Sequence, residues 1–303
     1  MINKNIHLSP EVEKAKRERI PIIALESTII AHGMPYPQNL ETAMNLENIV
    51  RRQGYCPATV FLMDGNIMIG AEQEQLEYLA QAKNVQKVST REIASVLVRK
   101  QTGATTVAAT MYCSHLAGIR IFATGGVGGV HRGAGESFDI SADLSELQRT
   151  PVIVVSAGVK AILDIGKTLE YLETVGVNVF GWQTDSFPGF YSAQTPWQVS
   201  RIDDVQQISA IYHKQIKLGI KSGILIANPV PVEDEISWSE MAVIIDQALA
   251  EMQAKKITGK AVTPFLLRKI TELTAGNSLE TNIKLVENNV TLACRIAGEL
   301  YND

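Results

Sequence analysis

Short apolar runs alternating with amphipathic stretches constrain this chain more than any other feature. The runs PIIALES (21–27), ATVFLMDGNIMIG (58–70), IRIFATGG (from 119), VIVVSAG (from 152), VNVFGW (from 177) and GILIANP (from 223) read as buried strands. Between them lie NLETAMNLENIVRRQ, REIASVLVRKQ, AILDIGKTLEYLETVG and DDVQQISAIYHKQIKLG, helical in pattern, the last two each running into a glycine that suits a helix end. Repeated alternation of this kind predicts an α/β layered fold with a largely parallel sheet. The rest is helical, from SWSEMAVIIDQALAEMQAKK through TPFLLRKITELTAG to SLETNIKLVENNVTLACRIAGEL, with helix starts expected at Thr263-Pro264 and Ser278. No repeat, low-complexity tract or Pro/Ser-rich linker divides the sequence. Residues 1–303 are therefore expected to form one domain, with residues 1–20 a short helical lead-in at best.

Composition narrows the partners. A chain of 303 residues with 46% hydrophobic content can bury a sizeable core, and α/β folds reach this length without splitting. With 28 basic against 32 acidic residues and no basic cluster, nothing provides the electrostatic footprint of a nucleic-acid binder. A small-molecule partner fits better. The charged start MINKNIHLSPEVEKAKRERI has no signal-peptide core and no later run is long enough to span a bilayer, so a cytoplasmic protein without a membrane partner is expected. Cys56, Cys113 and Cys294 show no CxxC spacing and read as buried thiols.

The densest candidate for chemistry is ATGGVGGVHRGAGESFDISADLSEL, residues 123–147. It follows an expected strand and packs Gly125, Gly126, Gly128, Gly129, Gly133 and Gly135 together, so backbone can approach a ligand and exposed amides can cradle an anion. Neither GxGxxG after a first βα unit nor GxxxxGK[ST] is present, which excludes the two common nucleotide loops. Glu136, Asp139 and Asp143, with Ser141 between the aspartates, offer hard oxygen ligands for magnesium or manganese; alternatively the aspartates flank and cap a short helix beginning near Leu144. Lys160, in VSAGVKAILDIGKTLEYL, falls where a strand gives way to a helix. Its neighbours Val159, Ala161 and Ile162 make an apolar setting in which a free amine could attack a sugar aldehyde; the alternative is a solvated lysine on a first helical turn. Glu26, at the end of the first apolar run, is either a general acid or base or a simple strand end, and His32 in the following turn reads as structural. Lys87 and the GATTVAATM stretch (103–111) offer an ammonium and hydroxyls for a phosphate, while WQTDSFPGFY (182–191) offers surface for a planar base.

Taken in order, LESTIIAHGMPYPQN, KVSTREI, GATTVAATM, FATGGVGGVHRGAGESFDISADL, VSAGVKAILDIGKTLEYLET, GWQTDSFPGFY, ILIANPVP and GKAVTPFLLRKITELTAGNSLETNIKLVENN resemble the pseudouridine-5'-phosphate glycosidase family, also called the indigoidine synthase A-like family. The resemblance runs from about residue 10 to 300. It implies a three-layer α/β/α sandwich around a mostly parallel mixed sheet, assembling as a homotrimer. It implies reversible conversion of pseudouridine 5'-phosphate and water into uracil and ribose 5-phosphate, in pseudouridine catabolism. By position, Lys160 matches the family's Schiff-base lysine, Glu26 its proton donor and Asp139 its manganese ligand, with most remaining coordination from water and Mg2+ as an alternative ion. Ser141, Ala142 and Asp143 match a substrate-contacting triplet, Lys87, Val107 and Thr124 further substrate contacts, and Asn282 an asparagine at the uracil or ribose, with Asn277, Asn288 and Asn289 close by.

The implied chemistry is coherent. The leaving atom is a ring carbon of uracil, so a carboxylate pair stabilising an oxocarbenium ion has poor leverage. If Glu26 protonates the ring oxygen while Lys160 takes the anomeric carbon as an imine, the iminium serves as electron sink and the carbon-carbon bond breaks by a retro-addition. Two rival readings remain: a sugar or nucleoside kinase, for which no nucleotide loop is visible, and a non-catalytic binding protein of pigment biosynthesis.

Overall fold

The computed structural model describes residues 5–257 and 259–301. It opens with strand β1 (Ile6–Leu8) and helix α1 (Pro10–Glu18), so the start of the chain contributes a strand as well as the expected helix. Residues 1–4 of that lead-in lie outside the described residues. Strand β2 (Ile22–Leu25) passes through a π-helical turn, Ile29–Gly33, into α2 (Gln38–Arg52). The run at 58–70 forms two strands, β3 (Cys56–Met63) and β4 (Asn66–Ile69), antiparallel across Asp64-Gly65. Both turn residues have positive φ, 50° and 81°, as a two-residue hairpin turn demands.

There follow α3 (Gln73–Gln81), β5 (Gln86–Val88), α4 (Ile93–Val98), β6 (Gly103–Thr105) and α5 (Val107–Leu116). Then come β7 (Ile121–Ala123), β8 (Val130–His131), the single turn α6 (Ala134–Ser137), α7 (Ala142–Arg149) and β9 (Ile153–Ser156). The next elements are β10 (Leu163–Asp164), α8 (Ile165–Thr174), β11 (Asn178–Trp182), β12 (Ser200–Ile202), α9 (Val205–Lys217) and β13 (Ile224–Ala227). The chain closes with α10 (Trp238–Ala254), α11 (Val262–Leu273) and α12 (Asn277–Leu300).

Among the described residues eleven strands form one mixed, mostly parallel sheet in the order β1-β4-β3-β2-β7-β9-β13-β11-β12, with β6 attached to β3 and β5 to β6. The central strands are buried along their whole length, which is why they read as unbroken apolar runs. Helix α12 packs over β2, β7 and β9 and against α2 and α9, while α5, α7 and α8 form a second layer. The expected α/β/α sandwich is the observed architecture. No helix among the described residues is long and apolar enough to cross a membrane. All three cysteines are buried and free, their thiols pushed up to about 12 by burial.

Two helix starts differ from expectation. Helix α8 begins at Ile165, because the Asp164 carboxylate accepts the Lys167 amide and caps it there; Lys160 is therefore in a loop, ahead of any helical turn. Helix α12 begins at Asn277 after Gly276 (φ 95°), so Ser278 lies inside the first turn and does not cap it.

The sheet creates one privileged place. From β2 the chain moves outward to β3, whereas β7 and β9 extend the sheet the other way, so the carboxyl ends of β2 and β7 border a topological switch point.

Candidate active site

A cleft of about 830 Å³ opens at that switch point. Glu26, immediately after β2, and Lys160, in the loop after β9, both line it. Lys87 reaches it from edge strand β5, and Val107 from the first turn of α5. Ser141, Ala142 and Asp143 enter at the start of α7, Asp139 from the preceding loop, and Asn282 from α12. Residues as far apart in the chain as Glu26 and Asn282 thus meet because successive parallel strands, and α12 packed over them, deliver their groups to one edge.

Glu26 is enclosed on its carboxyl side. Burial pushes its carboxyl above the usual carboxylate range; the nearby Lys160 charge is the strongest opposing influence, followed by the Thr124 hydroxyl, while Asp143 raises it further and Lys87 lowers it. Thr124 donates its hydroxyl to Glu26 Oε1. Expected as a substrate contact, Thr124 is instead buried beneath the cleft, since it directly follows β7 and its side chain turns toward β2. Ser27, next to Glu26, is anchored twice: its hydroxyl donates to Val60 O at 2.7 Å and accepts the Thr105 amide at 2.8 Å. Thr28 donates to Thr105 O at 2.7 Å, so the segment carrying Glu26 is tied to β6.

Lys160 Nζ donates to Gly126 O at 2.5 Å, and its backbone N–H to Val127 O at 3.0 Å. The glycine loop therefore holds the lysine with carbonyls. Its glycines supply room rather than a nest of free amides: a Cβ on Gly128 would lie 2.7 Å from Asp143 Oδ2, and one on Gly126 would lie 2.6 Å from Phe190 Cδ2. The Gly128 amide is already donated to Asp143 Oδ2 at 2.8 Å, and Asp143 Oδ1 accepts the Ala108 amide at 2.9 Å. Asp143 thus fastens the loop to the amino end of α5. The cap of α7 is Ser141, whose hydroxyl accepts the Asp143 amide, so the alternative in which the aspartates cap this helix is corrected.

Glu136, Asp139 and Asp143 do not converge. Glu136 is exposed on α6 and does not line the cleft, Asp143 faces amides, and no group of three His, Cys, Asp or Glu side chains among the described residues is arranged to hold a metal ion. Asp139 has one neighbour of interest, His131, with Nδ1 3.9 Å from its Oδ2. The ribbon of β8 and β10 pairs His131 with Leu163 and so brings the ring to the Lys160 loop. Burial lowers the pKa of His131 and leaves its ring neutral at pH 7; Asp139 opposes this, while Lys87 and Lys160 reinforce it. Sequence reasoning passed over His131, although a lone histidine inside a glycine loop after a strand was available as a signal.

Other expectations sort by burial. Thr105 and Thr110 in GATTVAATM bond each other and Val60 O in the core, leaving Thr106 and Val107 at the cleft. Trp182, Phe187 and Tyr191 of WQTDSFPGFY are core residues, and only Phe190 (φ 68°) presents its ring to the cleft, over Gly126. Of the four asparagines considered near residue 282, Asn282 lines the cleft, Asn277 is exposed, Asn288 donates to Pro229 O at 3.0 Å and Asn289 is fully buried. His32, in the π-helical turn, also lines the cleft.

The chain is 53% identical over 300 residues to a pseudouridine-5'-phosphate glycosidase of Geobacillus kaustophilus, covering 99% of this chain and 100% of the relative. It is 55% identical over 301 residues to the protein of that name from Roseobacter denitrificans, covering 99% and 97%. Among solved structures, the prealnumycin C-glycosynthase AlnA in complex with ribulose 5-phosphate superposes with a TM-score of 0.91 at 32% identity, covering 99% of this chain and 98% of that one. An indigoidine synthase A-like protein of Thermotoga maritima superposes with a TM-score of 0.90 at 35% identity, over the same shares. With the family model for indigoidine synthase A like protein matching residues 11–299, and with the fold shared along almost the whole chain, the chain belongs to the indigoidine synthase A-like family.

Proposed function

We propose that this protein is a pseudouridine-5'-phosphate glycosidase that cleaves the carbon-carbon bond between uracil and ribose, with Lys160 as covalent catalyst and Glu26 as proton carrier. The single observation that carries this reading is the pairing, in one cleft, of a lysine after β9 with a carboxyl after β2 whose pKa burial raises. Full-length relatives of that name at 53% and 55% identity support it.

The chemistry follows from those two groups. Glu26 gives its proton to the ring oxygen as the C1'–O4' bond opens, and the Lys160 amine bonds to C1'. The attached nitrogen sheds a proton, which restores Glu26. The C1'–C5 bond then breaks: its electron pair leaves with uracil, C5 takes the proton from Glu26, and the nitrogen lone pair closes a C1'=N iminium. Water adds to the iminium, expelling ribose 5-phosphate as an aldehyde and freeing the amine. The substrate phosphate belongs at the end of the cleft where Lys87 and the amino termini of α5 and α7 come together, since both helix dipoles and the ammonium favour an anion there. Phe190 offers a ring face and Asn282 an amide for the uracil.

We also propose a manganese or magnesium ion at Asp139. The donors fit an ion held chiefly by water: a single carboxylate, about half exposed to the cleft, with His131 beside it and no thiolate. Such an ion would supply positive charge near the bound phosphate. The family resemblance further supports a homotrimer, which a solution mass of three 33.1-kDa chains would bear out. The deciding experiment is chromatographic detection of free uracil after incubation with pseudouridine 5'-phosphate, with and without manganese. No uracil from folded, metal-loaded protein sinks the assignment.

A further inference from the structure

The segment Thr124–Val127 serves both catalytic groups at once. The Thr124 hydroxyl points at Glu26, and the carbonyls of Gly126 and Val127 hold Lys160 through its amine and its backbone N–H. Whatever fixes the start of that segment sets the spacing of acid and nucleophile. From α12, Val286, Leu285 and Asn282 crowd Gly125, and the fully buried Asn289 hydrogen-bonds the segment's carbonyls. Asn289 Nδ2 donates to Thr124 O at 2.8 Å and to Gly125 O at 3.4 Å, while its Oδ1 accepts Nδ2 of Asn228 at 3.0 Å.

The orientation of this amide is dictated by chemistry. Backbone carbonyls only accept, so the NH2 of Asn289 must face them and its oxygen must face Asn228. Asn228 is itself placed by the sheet, directly after β13, with its backbone N–H donated to Ser156 O at the end of β9 at 2.8 Å. The two amides therefore join the ends of β7, β9 and β13 to α12. Neither lines the cleft, and a buried amide pair has an apolar alternative of equal volume that would pack as well.

We propose that Asn289, oriented by Asn228, is the positioning residue of this site, clamping the Thr124 and Gly125 carbonyls so that Thr124 aims at Glu26 and Gly126 at Lys160. The inference rests on the reaction assigned above. Asn289 touches no substrate; it acts through Thr124 and the loop. Glu26 is faced by Lys160 from the β9 loop, Lys87 from β5 and Asp143 from α7, none of which Asn289 itself hydrogen-bonds.

The experiment compares Asn289→Leu, Thr124→Val and their double variant in steady-state kinetics across pH, with Asn288→Leu as control. Asn288 lies on the same helix and also bonds a carbonyl, but on Pro229, away from the β7 end. Asn289→Leu should fold, lose roughly 10²-fold in kcat and change KM by less than about 3-fold, the pattern of misplaced rather than missing groups. Its alkaline limb in kcat/KM should move to higher pH, because Glu26 loses a donor that favours the charged form. Thr124→Val should move the limb equally, and the double variant no further. An Asn289→Leu enzyme indistinguishable from Asn288→Leu, or limb shifts that add in the double variant, overturns the proposal. Should Asn289→Leu not fold, Asn228→Ala leaves Asn289 in place with its amide unoriented, and an unmoved limb there overturns the proposal equally. Wild-type protein that releases no uracil fails the functional assignment, whereas active wild type with an indifferent Asn289 variant fails this inference alone.

Discussion

Two glutamates, Glu26 just after β2 and Glu47 on the neighbouring helix α2, end in opposite roles. Glu47, on α2, is 3% exposed; it accepts the Thr59 hydroxyl at 2.7 Å and pairs with Arg51 at 2.8 Å, while Arg51 is forked onto Glu11. Glu26 likewise accepts a threonine hydroxyl and lies near a cation. Burial raises both carboxyls, and in both the nearby cation and hydroxyl oppose it. The difference is in access and in the partner. Glu47 is sealed between α2 and β3 against a guanidinium that never gives up its charge, whereas Glu26 opens on a cleft beside an amine able to form a bond. A raised carboxyl alone therefore does not mark catalysis. Access to ligand and a reactive neighbour do.

The sharpest break in that comparison is Lys160→Arg. It keeps the charge near Glu26 but cannot form an imine, so uracil release should fall at least ~10⁴-fold. Near-normal release would end the covalent scheme. Glu26→Gln should cost roughly 10²–10⁴-fold in kcat and lack the alkaline limb expected of the wild type as pH rises through the raised Glu26 pKa. Both glutamates bind a proton more tightly folded than unfolded. Each thus contributes stability present below the ordinary carboxylate pKa and lost as pH rises through its folded value. Glu26→Gln should accordingly melt no lower than wild type at pH 8, and a lower Tm there would contradict the burial argument.

Asp139→Ala, or exhaustive chelation of the wild type, should lower activity by about 10–100-fold, with manganese restoring the chelated enzyme but not the variant. Unchanged turnover after chelation removes the metal from the scheme. The smallest effect belongs to the other half of the comparison. Glu47→Gln keeps an acceptor for Thr59 and leaves Arg51 forked onto Glu11, so by the same burial argument denaturant titration at pH 8 should show stability within about 1 kcal/mol of wild type while kcat stays within about twofold. A large loss of activity there would mean that the two glutamates are not functionally separate.

Most of the architecture was legible because parallel strands covered on both faces must be apolar throughout, and the runs ending at Leu25, Ala123, Ser156 and Ala227 are. The hairpin at 58–70 was missed although Asp64-Gly65 is the strongest short hairpin signal, since an apolar run on both sides hides the turn. Short pieces such as β8 and β10 had too few residues for any periodicity to declare them. At the site, Glu26 and Lys160 stood out by their place at strand ends. Thr124 was expected as a substrate contact through the family resemblance, and its turn toward β2 is a fact of strand neighbourhood.

By itself the sequence determined the layered α/β class, the buried thiols and the family, because these depend on which residues are apolar, at what spacing and in what order. Only the tertiary structure decided which polar groups are spent on the protein itself. Asp143 is used up by two amides, Asn289 by two carbonyls and Thr124 by Glu26, while Asp139, His131 and Lys160 remain directed at the cleft. The physical reason is that a buried polar group must be satisfied, and the partners that satisfy these lie on strands and helices distant in the chain, which become neighbours only when the sheet assembles.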